Sequence, residues 1–216
     1  MDMSEMFAFV DQNSLGETPN GERVRVRANK LGFLVVQDFY TEMAIEGHVF
    51  NITAGTVATP LAADIAVTDT KCDIALDPAL GYVVLPAFQE IAIAVGTGAT
   101  INTIRTLSSA GISTTGGAMV PLNINSGGAA CKSTARVAAA GGCVVAAELV
   151  TTTRQHFTWA CPAAVAATPA VVVWTPRVPP TIKYGSCLYV QLAATGAGFT
   201  YYGHLDFIEL EPDNVA

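Results

Sequence analysis

Between Ile65 and Val95 the chain repeats one pattern: short runs of β-branched and aliphatic residues, each cut off by a turn former. Ile65-Ala-Val-Thr, Cys72-Asp-Ile-Ala-Leu, Tyr82-Val-Val-Leu-Pro and Phe88-Gln-Glu-Ile-Ala-Ile-Ala-Val succeed one another, with Asp77-Pro78, Gly81 and Pro86 between them. Runs too short for helices that recur about every 8 to 12 residues read as strands of an all-β sandwich. No segment repeats itself at a period of about 20 to 50 residues, which removes solenoids and propellers. A single antiparallel sandwich is the expected architecture.

Other segments extend the array. Glu22-Arg23-Val24-Arg25-Val26-Arg27-Ala28 alternates with period two, setting three guanidinium groups on one strand face. Phe33 to Thr53 is rich in β-branched and aromatic residues and breaks at Gly47, which predicts two strands rather than a helix. Arg154 to Cys161, Ala170 to Trp174, Cys187 to Ala193 and Phe199 to Leu210 read as strands of the last third. The last two, joined through Ala194-Thr-Gly-Ala-Gly, predict a hairpin in which Leu188, Val190 and Leu192 share one face. Val144 to Thr153 reads two ways: Ala146, Ala147, Glu148 and Leu149 favour a short helix, Thr151-Thr152-Thr153 a strand. Residues 1–21, with Gly16 and Pro19-Asn20-Gly21, read as an N-terminal arm, leaving 22–216 as one sandwich domain.

Charge narrows the function. Hydrophobic residues make up 51% of the chain and charged ones 13%, so it can bury enough apolar surface to offset its ordering entropy and is not disordered. Lys and Arg number 11 against 18 Asp and Glu, a net charge of −7, which repels phosphate and argues against general nucleic-acid binding. From Thr106 to Cys131 there is no charged residue at all, and Gly116-Gly117 and Gly127-Gly128 punctuate long neutral loops. A globule so poor in charge leaves neutral surface for copies of itself to cover, and these loops are expected to make subunit contacts. The apolar run ending at Val95 meets Gly96, and Val171 to Val173 is hemmed in by Pro169 and Pro176, so no span of about 20 residues inserts into a membrane. Met1-Asp2-Met3-Ser4-Glu5 lacks the basic start of a secretory signal, which predicts that the chain starts folding in a cytosol.

Catalytic chemistry is weakly signalled. The three histidines, His48, His156 and His204, lie in or beside expected strands, and no G-x-S-x-G, H-E-x-x-H or Walker motif is present. We expect no enzyme and no cofactor; a hydrolase assembled around His156 or His204 is the third-ranked alternative, because triads are defined by geometry rather than spacing. His204-Leu205-Asp206 places an imidazole and a carboxylate on one strand face. Gly96-Thr97-Gly98 follows an apolar strand but lacks the third glycine and the helix of a dinucleotide loop. Asp64, Asp69, Asp73 and Asp77 are expected to be solvated loop carboxylates, with a calcium ion at a subunit contact as the sharper alternative. Cys72, Cys131, Cys143, Cys161 and Cys187 contain no C-x-x-C pair and read as buried thiols, a Cys131–Cys143 disulfide being the alternative.

Two clusters are candidates for subunit interfaces. Arg23, Arg25 and Arg27 suit a solvated edge strand or a salt bridge to an acidic neighbour, with at most a local grip on nucleic acid. Tyr184, Tyr189, Phe199, Tyr201 and Tyr202 suit packing or a trimer axis, and a sugar site would use the same rings. Asn51-Ile52-Thr53 fits the glycosylation pattern by chance.

Pro179-Pro-Thr-Ile-Lys-Tyr-Gly-Ser-Cys-Leu-Tyr-Val-Gln-Leu followed by Tyr202-Gly-His-Leu-Asp-Phe-Ile-Glu-Leu resembles the closing strands of jelly-roll virion proteins. Gln37-Asp-Phe-Tyr to Thr53 and Leu80-Gly-Tyr-Val-Val-Leu-Pro look like their opening strands, while Leu107 to Gly142 has no counterpart. The resemblance covers about half the chain and implies a jelly-roll β-sandwich in a bacteriophage-type capsid or capsid-associated protein. It further implies symmetric self-assembly, as a trimer or larger oligomer with other virion proteins as partners, location in the virion, and no catalytic residues to carry over. A head-fibre, receptor-binding or lectin-like module is the second reading.

Overall fold

The computed structural model describes residues 7–9, 23–25, 39–63, 71–95, 101–138, 143–145, 153–162, 170–194 and 199–211. Two short strands, β1 (Phe7–Phe9) and β2 (Arg23–Arg25), pair antiparallel with each other. Helix α1 (Phe39–Glu46) precedes β3 (Val49–Ala54), β4 (Leu61–Ala62), β5 (Lys71–Cys72), β6 (Ile74–Asp77), the long β7 (Val83–Val95) and β8 (Ile101–Ala110). Four short strands follow: β9 (Gly117–Met119), β10 (Leu122–Asn123), β11 (Thr134–Val137) and β12 (Cys143–Val144). The chain continues through β13 (Arg154–Pro162), β14 (Ala170–Trp174), β15 (Ile182–Lys183), β16 (Ser186–Ala194) and β17 (Thr200–Leu210).

The strands make an antiparallel all-β sandwich. One sheet runs β10-β3-β17-β7-β14, with β15 also on β7 and β4 on β17; the other runs β13-β8-β16-β6-β11-β9. The long-range pairs are nested: β3 with β17, β6 with β16, β7 with β14, and β8 with β13. Two further ladders, β17 with β7 and β16 with β8, fasten the nested pairs side by side into the two sheets. Alternation along each strand then supplies the core. Ile52 of β3, Ile91 of β7, and Leu205 and Phe207 of β17 face Leu76 of β6, Ile104 of β8, and Leu188, Val190 and Leu192 of β16 in one apolar cluster. Phe157 of β13 stacks on Trp174 of β14, ring centroids 5.9 Å apart, where edge strands of the two sheets meet.

Helix α1 replaces one of the two strands expected between Phe33 and Thr53. Its eight residues include the good helix formers Glu42, Met43, Ala44 and Glu46. Its end is set by Gly47 at φ +84°, with the His48 N–H donating to Met43 O and the Gly47 N–H to Ala44 O, the paired bonds of a glycine-capped terminus. Burial of Met43 on Val49, Val83, Leu85, Ile208 and Leu210 supplies the tertiary support that so short a helix needs.

The expected C-terminal hairpin is not made. β16 and β17 lie in different sheets, each flanked on both sides by other strands. The runs at Tyr82 and Phe88 merge into the single strand β7, and Pro86 is accommodated beside an irregularity in the ladder with β17, where Asp206 pairs with Phe88 and Phe207 with Pro86. Cys143 to Val145 is extended rather than helical; residues 146–152 lie outside the described ones, as do the expected strand at Ile65 and the Gly96-Thr97-Gly98 turn.

The described part of the segment between β8 and β13 is largely bound to its own chain. β11 extends one sheet and β10 the other, so the segment wraps a sandwich edge. Asn123 Nδ2 donates to Gly47 O at 2.7 Å and to Ala129 O at 2.8 Å, and Asn125 Nδ2 donates to Ile45 O at 2.9 Å. Uncharged amides thus satisfy carbonyls at the end of α1 that no helical N–H can reach. Among the described residues no helix is long and apolar enough to cross a membrane.

Candidate functional site

A concavity lies on the outer face of the first sheet, beside α1. It is a groove of about 670 Å³ walled by Phe39, Tyr40, Phe88, Pro176 and Pro179, with Asp206 of β17 among its lining residues. Because Leu205 and Phe207 point into the core, Asp206 between them points out. Its carboxylate accepts hydrogen bonds from Asn51 Nδ2 and, at 3.3 Å, from the Tyr40 hydroxyl. Burial first, and then the neighbouring Asp206 charge, push the Tyr40 phenol up to about 12. His204, two residues before Asp206, instead stacks on Phe88 at 5.5 Å. The groove therefore offers aromatic and prolyl surface with a carboxylate already engaged, which suits recognition better than proton transfer.

A Ser–His pair among the described residues is differently placed. Ser108 Oγ lies 2.8 Å from His156 Nε2, at a β13 irregularity that leaves His156 between Gln155 and Phe157 in the ladder with β8. Burial, reinforced by the Arg154 charge, holds His156 below the usual imidazole value. Ser108 is buried on the strand and does not line the groove beside α1. Among the described residues no carboxylate is hydrogen-bonded to the His156 ring.

Several carboxylates expected in solvent are interior fastenings. Asp73 lies in the chain between β5 and β6, and its Oδ2 accepts the Leu192 N–H at 2.7 Å, standing in for a strand carbonyl. Gln191 Nε2 donates to Lys71 O beside it, at 2.8 Å. Asp77 accepts both the N–H and the hydroxyl of Ser113, tying the segment after β8 to β6. Both aspartates are buried because each replaces a missing backbone partner, whereas Asp64 and Asp69 lie outside the described residues. Among the described residues no group of three His, Cys, Asp or Glu side chains could hold a metal ion.

Sequence reasoning missed Glu209. Its alternation with Leu205 and Phe207 turns it inward, and its carboxylate accepts the N–H groups of Lys132 and Ser133 at 2.8 and 2.7 Å. The Cys131 thiol donates to the same group at 3.4 Å, and burial, then the Glu209 charge, raise that thiol well above its ordinary range. An acid in register with an apolar face was the available signal. Cys131 is thus not placed against Cys143, which sits opposite Cys72.

Of the interface candidates, Arg23 and Arg25 lie on β2, and Arg27 lies outside the described residues. Tyr189, Phe199 and Tyr201 are wholly covered by their own chain, Tyr189 on the outer side of the second sheet and the other two in the core. Phe199 and Tyr201 turn into the core and Tyr189 is covered on the outer side, so of these rings Tyr184, exposed, and Tyr202, half-buried, remain to meet another molecule. Asn51 and Thr53 of the glycosylation pattern bond to each other, Thr53 Oγ1 donating to Asn51 Oδ1 at 2.8 Å. No protein-family model matches the chain, and neither does any curated protein or solved structure.

Proposed function

We propose that this protein is a viral structural protein, a capsid or capsid-associated component of bacteriophage type, that acts by symmetric self-assembly on a jelly-roll sandwich. The observation that carries the reading is the nested pairing. Taking β3, β6, β7, β8, β13, β14, β16 and β17 as eight consecutive strands, the first pairs with the eighth, the second with the seventh, the third with the sixth and the fourth with the fifth. A long hairpin folded over into two sheets produces that order, and eight-stranded jelly rolls recur in viral shells and in lectin domains. The segment between the fourth and fifth strands is an insertion on that plan.

Surface composition favours the shell over the lectin. Val171 and Val173 stand 56% and 51% exposed on β14, and Val120 and Leu122 stand 72% and 68% exposed at the β10 edge. Apolar area is worth about 25 cal/mol per Å² when covered, so modest contacts repeated by symmetry can hold a shell. A recognition module is the second reading, favoured by the aromatic groove that Asp206 lines. Light scattering on a size-exclusion column together with particle imaging separates the two. Closed or tiled assemblies support a shell component, and discrete trimers that bind glycans support recognition. A lone 22.4 kDa particle at high concentration would overturn both.

A further inference from the structure

Strand β12 lies on the outer side of the second sheet, and its register sets Cys143 directly opposite Cys72 of β5. The Val144 N–H donates to Thr115 Oγ1 at 2.9 Å and its carbonyl accepts the Thr114 N–H at 2.8 Å, so its backbone groups face away from β5. Backbone groups of successive strand residues point to opposite sides, which turns those of Cys143 toward Cys72. Hydrogen-bonded antiparallel partners hold their Cα atoms about 5.5 Å apart, within the range of about 4.4 to 6.8 Å that disulfides use. Both thiols are buried, in a cluster shared with Cys187, Ala75, Leu107 and Val145. The far side is closed by backbone, because a methyl group at Gly116 would meet Cys143 Sγ at 2.6 Å.

We propose that Cys72 and Cys143 form a reversible cross-strand disulfide when the protein meets an oxidising thiol pool, stapling the insertion between β8 and β13 to the sheet. The step is independent of the assembly reading. The oxidant is a low-molecular-weight disulfide such as oxidised glutathione. When β12 opens locally from β5 and admits the oxidant, the Cys143 thiolate attacks one of its sulfurs and expels one glutathione thiolate; Cys72 then gives up its proton and attacks Cys143 Sγ as the strands close, expelling the second. The protein loses two hydrogens and two electrons, and the oxidant becomes two thiols. A hydrogen bond from Cys72 holds the Cys143 thiol below its ordinary value and raises Cys72, which makes Cys143 the first attacker. Cys187, in the same cluster, is engaged differently, its strand partner being Ser109 and its thiol donating to Leu188 O at 3.4 Å.

The test starts from fully reduced wild-type protein incubated anaerobically with oxidised glutathione and then digested without reductant. The expected product is one linked pair of peptides containing Cys72 and Cys143, lighter by two hydrogens and separated again by dithiothreitol. Closing so long a loop raises Tm by on the order of 10 °C. Cys187→Ala keeps the linkage, whereas Cys72→Ala or Cys143→Ala abolishes it. Glutathione adducts without a link, or a bond through Cys187 or Cys131, would overturn the proposal. The wild-type peptide map decides the matter even where a variant fails to fold.

Discussion

His156 shows how a single half-buried group ties stability to pH. Burial and Arg154 hold its imidazole below the usual value of 6.5, so the folded chain prefers it neutral. As pH falls through about 6.5 the unfolded chain binds a proton that the folded chain refuses, and stability declines with acidity. Denaturant midpoints measured from about pH 8 down to about pH 5 should fall for the wild type and fall less for His156→Gln, which can still bond to Ser108. Equal slopes for the two would remove the assignment. A second buried contact crosses the core: Thr106 Oγ1 donates to Gln89 Oε1 at 2.7 Å, while Gln89 Nε2 has no partner. Thr106→Val should cost about 1 to 3 kcal/mol by leaving the amide further unsatisfied. Adding Gln89→Leu should recover most of that loss, and a double variant no more stable than the single one would contradict the role given to the bridge.

Among the elements, the insertion between β8 and β13 depends most on a few polar anchors. Glu209 reaches it from β17 with bonds to two N–H groups and a thiol. Glu209→Gln keeps the shape but removes the charge and sets an amide N–H₂ against backbone donors, a loss of about 2 kcal/mol. Hydrogen exchange at Lys132 and Ser133 should accelerate in that variant ahead of the core strands, and unchanged protection there would show that the anchor is dispensable. The same elements mark what sequence reading could reach. Period-two alternation located β13, β14, β16 and β17 to within a residue or two and put Leu188, Val190 and Leu192 on the core face. It missed α1, because Phe39 to Glu46 has little amphipathic pattern of its own and takes its helical form from packing on Val83 and Ile208. It placed Asp73 and Asp77 in solvent, because a carboxylate's use as a substitute strand acceptor depends on a neighbour distant in sequence.

For the molecule entire, the sparse charge bears on how copies would meet in the proposed assembly. Contacts made by neutral and aliphatic surface are not screened by salt, whereas contacts built on ion pairs weaken as the Debye length shrinks. Assemblies followed by light scattering should therefore survive about 0.5 M sodium chloride and be strengthened by sulfate, which favours burial of apolar surface. Dissolution by sodium chloride at neutral pH would point to ionic contacts, with the arginines of β2 the first suspects.

What the sequence determined alone was local: strands bounded by turn formers, the faces their side chains take, and a net charge of −7. These follow from steric alternation and composition, which need no knowledge of the partner. Tertiary structure alone decided which strand lies beside which. A strand's alternation states its buried face but not whose N–H and C=O groups complete its ladder, so β16 and β17, neighbours in the chain, could part into opposite sheets. The same holds for Glu209, Asp206 and the Cys72–Cys143 pair, whose partners meet only after the sheets have closed.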